Sequence, residues 1–199
     1  MKTKSKALIL TLCAVLLVAA SVLGTMAYLT STASVENTFT VGSVAITLDE
    51  TDVDNSTADA NRDQANSYKL MPGHTYTKDP TIHVAAASED CYLFVKVANE
   101  ITAIEGETTV AAQMTAKGWG AVDGVPGVYV YTQNSTPAVV VGGSNVTVFD
   151  DFTISGTVDN AKLATYNNKT ITVTAYAIQA DGFAGKTASE IWTAAGFTN

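Results

Sequence analysis

The sequence predicts a mostly β protein: an antiparallel β-sandwich or jelly roll with a few short helices in its connections, preceded by a helical signal peptide. Two observations lead to this fold class. Short segments in which apolar and polar residues alternate recur along the chain, and this alternation is the pattern of half-buried strands. Val, Ile, Tyr, Phe and Thr, which are favoured in strands, are frequent in these segments. One long apolar run, at the N-terminus, breaks the pattern.

The N-terminus carries the features of a secretory signal peptide. Three lysines stand within the first six residues, and residues 7–23 are uncharged and mostly apolar. The small residues Thr25 and Ala27 then occupy the positions that signal peptidases read. We therefore expect a signal peptide at residues 1–27 and cleavage between Ala27 and Tyr28, with a cut one residue later as an alternative. Because a run of this length can just span a bilayer, an uncleaved membrane anchor is the competing interpretation.

The charge and cysteine content limit the partners and the chemistry of the mature chain. Without the three N-terminal lysines, 8 Lys and Arg face 19 Asp and Glu, a net charge of about −11. Such an acidic surface repels nucleic acid and anionic membranes, so we expect membrane contact only through an uncleaved signal peptide. Cys91 is the one cysteine beyond the signal peptide, which excludes an intramolecular disulfide. It opens an apolar strand pattern, so we expect a buried and unreactive thiol.

The segment that follows the signal peptide divides into an arm and a strand. Residues 28–41 begin small and polar, and we interpret them as an N-terminal arm and a candidate donor strand. The apolar side chains of this arm are Leu29, Val35, Phe39 and Val41. The alternation shifts phase at Gly42, which predicts a bulge or bend, and residues 44–48 then read as a core strand. The jelly-roll domain is accordingly predicted to cover residues 42–199.

Residues 49–66 are predicted to form an exposed acidic loop, because no apolar residue after Val53 anchors it. Its candidate calcium ligands are Asp52, Asp54, Asp59 and Asp63. Several of them match the ligand spacing of an EF-hand, but Thr57 stands where that loop requires Gly, and Asp63 replaces the longer bidentate Glu. The sequence thus excludes an EF-hand. A plain solvated loop and a weak, irregular Ca²⁺ site both stay open.

The rest of the chain predicts alternating strands and small helices. Pro72-Gly73 predicts a type II turn that brings its flanking strands together, and residues 81–84 and 91–98 are predicted to be neighbouring antiparallel strands. Further strands are predicted at 127–131, 139–141, 146–154 with a bend at 150–151, and 169–179. Helices are predicted at 109–117, from the N-cap Asp159 to Tyr166, and after a capping box that opens at Thr187.

The residue types available for catalysis are few. Zinc catalysis needs about three protein ligands and a general base, but the chain has only His74 and His83 and no HExxH motif. With Asp79, these two are the residues that would bind zinc, although we expect surface histidines. No serine lies in a GxSxG context, and no Gly-rich phosphate loop is present. We therefore expect a protein that is not an enzyme and holds no cofactor beyond the weak Ca²⁺ alternative.

Three segments, in order along the chain, resemble the TasA/camelysin family of secreted proteins from Gram-positive, mostly spore-forming bacteria. They read GTMAYLTSTASVENTFTVGSVAITL at 24–48, LMPGHTYTKDPTIHVAAASEDCYLFVKV at 70–97, and VTAYAIQADGF at 173–183 followed by IWTAA at 191–195. The resemblance runs over nearly the whole chain. The long acidic loop and the absence of a long charged tail distinguish this chain from the best-known fibre subunit of the family.

The resemblance implies a jelly-roll domain that is secreted after cleavage by a SipW-type signal peptidase. It also implies assembly into fibres of the extracellular matrix, cell surface or biofilm, in which the freed N-terminal strand of one subunit completes the sheet of the next. The implied partners are other copies of the chain, the peptidase and other matrix proteins. Camelysin-type members carry a metallopeptidase label, so a cell-surface metalloendopeptidase is one alternative, and a monomeric surface adhesin is another.

Overall fold

The computed structural model describes residues 3–29, 42–56 and 61–197. The chain divides into two units, residues 1–40 and 41–199. In the first unit, helix α1 covers Thr3–Leu29. Its segment Thr3–Ser21, of mean hydropathy 1.8, is the one described helix that is long and apolar enough to cross a membrane, and a signal peptide has the same features. The predicted cleavage residues Thr25, Ala27 and Tyr28 fall in the last turns of α1, whereas the arm beyond Leu29 lies outside the described residues.

The second unit consists mainly of short strands. These are β1 (Ile46–Thr51), β2 (Arg62–Asp63), β3 (Thr75–Thr77), β4 (Thr81–Val84), β5 (Cys91–Asn99), β6 (Trp119–Ala121), β7 (Val128–Gln133), β8 (Thr136–Pro137), β9 (Val139–Val140), β10 (Asn145–Thr147), β11 (Asp151–Thr153) and β12 (Ile171–Gln179). The helices are α2 (Val110–Ala116), α3 (Asn160–Ala164), α4 (Ala188–Ala194) and a 3₁₀ turn at Thr102–Ile104.

All strand pairs of this unit are antiparallel. The first sheet, called here the β1 sheet, has the order β10-β4-β1-β2. The second, called the β5 sheet, has the order β12-β5-β7-β6, with β9 beside β5 and β8 beside β7. β11 and β3 form a separate pair. The prediction of a mostly β, antiparallel protein with short helices is confirmed, and the jelly-roll topology stays a prediction.

Side chains from both larger sheets pack into one main hydrophobic core. Ile82 and Val84 enter it from β4, and Leu93 and Val95 enter it from β5. The alternate residues of β5 lie on the opposite face of the sheet. There, Tyr92 and Phe94 form a second cluster with Ile191 and Trp192 of α4. The alternation predicted for this strand is therefore confirmed, and α4 covers the outer face of the β5 sheet.

Each of the three helices follows a capping residue, and two of these caps, Asp159 and Thr187, were predicted. Thr109, Asp159 and Thr187 each accept a hydrogen bond from a backbone N–H in the first turn of α2, α3 and α4. At α4 the Thr187 N–H in turn donates to the Glu190 carboxylate (2.8 Å), which completes the predicted capping box. Such caps satisfy N–H groups that have no partner inside the helix.

Three predictions about the continuity and pairing of strands are wrong. The strands β4 and β5 belong to different sheets, because the turn at 85–90 leads from one sheet to the other. The predicted strand 146–154 is likewise two strands, β10 and β11, with different partners. The Pro72-Gly73 turn does form, with a hydrogen bond from His74 N to Met71 O (3.3 Å) and a φ of +74° at Gly73. However, residues 64–71, which lead into the turn, do not form a strand, and β3, which follows it, pairs with β11.

The acidic loop is shorter than predicted. Residues 49–51 belong to β1, and residues 62–63 form β2. Glu50 is buried, with 4% of its surface exposed, and it forms an ion pair with Lys78. The prediction that the whole of 49–66 is exposed is therefore wrong for Glu50. Its carboxylate can be buried because Lys78, from a later segment of the chain, neutralises its charge.

Candidate functional site: a groove between two strand edges

A groove of about 1340 Å³ opens between β1 and β12. One wall is β1 from Ile46 to Glu50, and the opposite wall is β12 from Ile171 to Ala175. The segment 64–70 and residues of α3 and the turn after it complete the lining. The groove thus lies between one strand of the β1 sheet and one strand of the β5 sheet.

The strand β12 has an open edge. β5 pairs with all nine residues of β12 on one side, and no described strand pairs with it on the other. Thr170 and Ala180, which flank β12, are hydrogen-bonded to residues that flank β5 (3.0 and 2.7 Å). Because bonding alternates along an antiparallel ladder, even-numbered residues of β12 bond to β5. Its odd-numbered residues therefore direct their N–H and C=O groups towards the open edge.

The strand β1 has a shorter open edge. β4 pairs with it along Ile46–Asp49, whereas β2 pairs only with Glu50 and Thr51 on the other side. Val84 is the partner of Ile46 in β4. Its N–H donates to Ser144 O (2.9 Å), just before β10, rather than to β1. The Ile46–Val84 pair is therefore not hydrogen-bonded, and the backbone groups of Ile46 and Leu48 face away from β4.

The groove exposes one side of the main core. Its apolar side chains are only half-buried, although they pack against that core. They are Ile46, Leu48, Tyr68, Leu70, Leu163, Tyr166, Ile171, Val173 and Ala175. An uncovered strip of core between unpaired strand edges matches the surface that an added β-strand covers.

A polar cluster of Glu50, Asn66 and Lys78 also lines the groove. Lys78 Nζ lies 2.6 Å from Glu50 Oε2, with 12% of the Lys78 side chain and 6% of the Glu50 side chain exposed. Asn66 Nδ2 donates to Glu50 Oε1 (3.0 Å) and to Thr51 O (2.8 Å). Burial, together with the nearby Glu50 charge, raises the pKa of Tyr68 beside this cluster, so that side chain stays neutral.

A second set of charges holds β2 against β1. Arg62 pairs with Asp49 and, at 2.9 Å, with Asp79 Oδ2. Burial opposes ionisation of Asp49, but hydrogen bonds from Arg62 and His83 outweigh it and lower the pKa of Asp49. Burial likewise opposes ionisation of Asp79, and the Thr51 N–H and Arg62 lower its pKa. Both carboxylates are therefore ionised partners of Arg62 at neutral pH.

The residues proposed for zinc are not brought together. The two ring nitrogens of His83 contact Asn145 Oδ1 (2.7 Å) and Asp49 Oδ1 (3.0 Å), and Asp79 is bound by Arg62 and Thr51. His74 lies on the Pro-Gly turn, with its ring centroid 6.4 Å from that of Tyr76. Within the described ranges, the one convergent set of metal-ligating side chains is acidic and contains no histidine.

That acidic set contains three of the four predicted calcium ligands. Ligand oxygens of Asp52, Asp54 and Asp63 lie within 4.8 Å of one another, while Asp59 lies outside the described residues. Ser56 joins the set, since its N–H donates to Asp54 Oδ1 (3.0 Å) and its hydroxyl to Asp63 Oδ2 (2.8 Å). Hydrogen bonds from Ser56 and Ser67 lower the pKa of Asp54. These carboxylates could hold a cation, and Ca²⁺ binding stays a prediction.

Cys91 is fully buried, as predicted. Burial, with a smaller contribution from Asp90, raises the pKa of its thiol to about 11. Since the thiolate is the reactive form, Cys91 is a packing residue rather than a nucleophile.

Comparison of the chain with protein-family models, curated proteins and solved structures finds no match. The groove was also not predicted from the sequence. The Lys78–Glu50 pair joins residues 28 positions apart, so no local pattern could have indicated it. The half-buried apolar residues of β1 and β12 were visible as alternation, but the alternation does not show which strand edges stay unpaired.

Proposed function

We propose that the protein is a secreted structural subunit of extracellular matrix or cell-surface fibres and assembles by strand donation. In this proposal, the arm at residues 28–41 of one subunit enters the groove of the next. The observation that carries the proposal is the groove itself, where two strand edges that no described strand covers border a half-buried strip of the main core. The resemblance to the TasA/camelysin family supports the same function.

The edge of β12 suits a donated strand in length and chemistry. Its nine residues span about 30 Å at ~3.3 Å per residue, and the arm of 14 residues is long enough to pair along it. A donor would gain backbone hydrogen bonds from the odd-numbered residues of β12. It would also place alternate side chains between Val173 of β12 and Leu48 of β1, covering the strip of core.

The phase of the apolar residues indicates that the arm does not simply extend β1. Val44, Ile46 and Leu48 pack against the main core, and they are even-numbered. The large apolar residues of the arm, Phe39 and Val41, are odd-numbered. In an unbroken strand, side chains alternate between the two faces, so these two residues would point away from the core of their own subunit. A bulge at Gly42 would return these two side chains to the core of their own subunit, whereas without a bulge they need another apolar surface.

Signal-peptide cleavage supplies the control step in this proposal. Before cleavage, the arm is continuous with α1, whose apolar segment can sit in a membrane. After cleavage at Ala27, the free arm can reach a neighbouring subunit. We propose secretion from a Gram-positive bacterium and a SipW-type peptidase as the processing partner. Other matrix proteins that offer or accept a strand are further candidate partners.

The proposal is tested by imaging the secreted protein. The full chain, expressed with its signal peptide in a secreting host, should yield a mature N-terminus at Tyr28 by sequencing and filaments by negative-stain electron microscopy. A variant that lacks residues 28–40 after the cleavage site should be secreted as a monomer. Equal polymerisation of both proteins would contradict strand donation.

A further inference from the structure

The polar cluster of Glu50, Asn66 and Lys78 interrupts the apolar lining of the groove. Glu50 is the one buried carboxylate among the described residues. Lys78 has three N–H donors, and the structure gives its ammonium one ion pair, with Glu50. The cluster is thus electrically neutral overall, yet it still offers hydrogen-bonding capacity to a strand lying in the groove.

The arm carries a matching polar residue on its apolar face. Between 29 and 41, every even-numbered residue is Thr, Ser or Glu. The odd-numbered residues, in order, are Leu29, Ser31, Ala33, Val35, Asn37, Phe39 and Val41. A strand with this pattern buries its odd-numbered face. Asn37 is the only amide on that face and stands between Val35 and Phe39, where burial without a hydrogen-bond partner is costly.

We propose that the Glu50–Asn66–Lys78 cluster receives Asn37 from a second copy of the chain and thereby fixes the register of the donated strand. This inference rests on the strand donation proposed above. Lys78 donates to the carboxamide oxygen of Asn37, and the Asn37 NH₂ group donates to Glu50. Val35 and Phe39 then lie about 7 Å to either side along the strand, against the apolar walls formed by β1 and β12.

Slipped registers are disfavoured in this arrangement. A shift by one residue turns the Thr- and Ser-rich face of the arm towards the core. A shift by two residues places Val35 or Phe39 on the ion pair and leaves the Asn37 amide against apolar side chains. In coiled coils, a single buried asparagine selects the register for the same reason, because a slipped register buries its amide without a hydrogen-bond partner.

The register is tested by photo-crosslinking in the full-length secreted protein. A diazirine analogue of leucine replaces Val35, which keeps Asn37 in place, and light and isotope-labelled copies are mixed before assembly. Mass spectrometry should find crosslinks between copies, confined to one short stretch of the groove wall. With Asn37→Leu added, the crosslinks should spread over several stretches. With Thr38→Val added, on the opposite face of the arm, they should stay where they were.

The outcomes separate this inference from the proposed function. Filaments whose crosslinks are unchanged by Asn37→Leu, or are already dispersed with Asn37 present, would overturn the register assignment and leave strand donation intact. Crosslinks within single copies would show that the arm fills its own groove and would overturn both. An absence of filaments from the wild-type chain would also overturn both. Because the substitutions lie in the arm, the acceptor domain is unaltered in every comparison.

Discussion

The two faces of the β5 sheet are completed in different ways. On the outer face, α4 packs Ile191 and Trp192 onto Tyr92 and Phe94, and all four side chains are buried. On the inner face, the residues of β12 that point to the main core, such as Val173, are only half-buried because no described strand covers the edge beside them. Among the described residues, helix α4 thus closes one face of the sheet, and the other face stays open along the groove.

The two regions also differ in the forces that hold them. The outer face depends on aromatic packing, with Trp192 in contact with Phe94, Tyr176 and Phe197 at centroid distances of 5.5, 5.1 and 5.1 Å. The β1 wall of the groove pairs with β4 and is also held by charges, those of Arg62 and of the Lys78–Glu50 pair. We infer that the closed face contributes more to the stability of the subunit, and we propose that the open side accepts a donated strand.

Truncation on the closed face should give the largest effect. Trp192→Ala removes a side chain that is 4% exposed and leaves a cavity among aromatic rings. The free energy of unfolding should fall by about 3–5 kcal/mol, measured by urea denaturation. The neighbouring exposed position supplies the control, because Thr193→Ala should change stability by no more than about 0.5 kcal/mol. If Trp192→Ala lowers the free energy of unfolding no more than Thr193→Ala does, the closed face does not contribute the stability that we infer for it.

Acid should weaken the charged wall of the groove. The pKa values of Asp49 and Asp79 are lowered in the folded protein, so their contribution to stability is present above the unfolded pKa of about 3.9 and is lost as pH falls through the lower folded values. Arg62→Gln should reduce stability at neutral pH and flatten the decline in acid.

Urea denaturation of both proteins over a pH series measures this effect. Other carboxylates with lowered pKa values, Asp54, Glu100 and Glu190, are shared by the two proteins, so the difference between the curves reports on Arg62. Parallel curves over the acid range would show that Arg62 does not act through Asp49 and Asp79.

The sequence predicted the closed face better than the open one, for a physical reason. The alternation of Leu93 and Phe94 and the capping box at Thr187 are local signals, and each states which side chains are buried or where a helix begins. The groove depends on which edges remain unpaired, and that is decided by contacts between distant segments. The misplaced neighbours β4 and β5 show the same limit, because both segments form strands as predicted but do not pair with each other. Glu50 was misjudged since its partner, Lys78, comes from beyond the acidic loop.

The smallest effect on stability, combined with a large effect on assembly, is expected on the open edge itself. Val173→Lys and Thr172→Lys add the same charge at adjacent positions of the β12 wall, where the Val173 side chain packs on the core face of the strand and the Thr172 side chain is exposed on the opposite face. Each should change the free energy of unfolding of the monomer by about 1 kcal/mol or less, because a half-buried lysine can extend its ammonium to water.

Filament formation should separate the two variants. A lysine at position 173 leaves a charge where a donated strand must place apolar side chains, so filaments should be lost by electron microscopy, whereas Thr172→Lys should assemble as the wild type does. If both variants assemble, the groove is not the acceptor surface. If Val173→Lys instead unfolds the subunit, the side chains of the groove are needed to stabilise the fold. The open edge would then not be explained by strand donation. Only loss of filaments with retained stability fits a groove that a second copy completes.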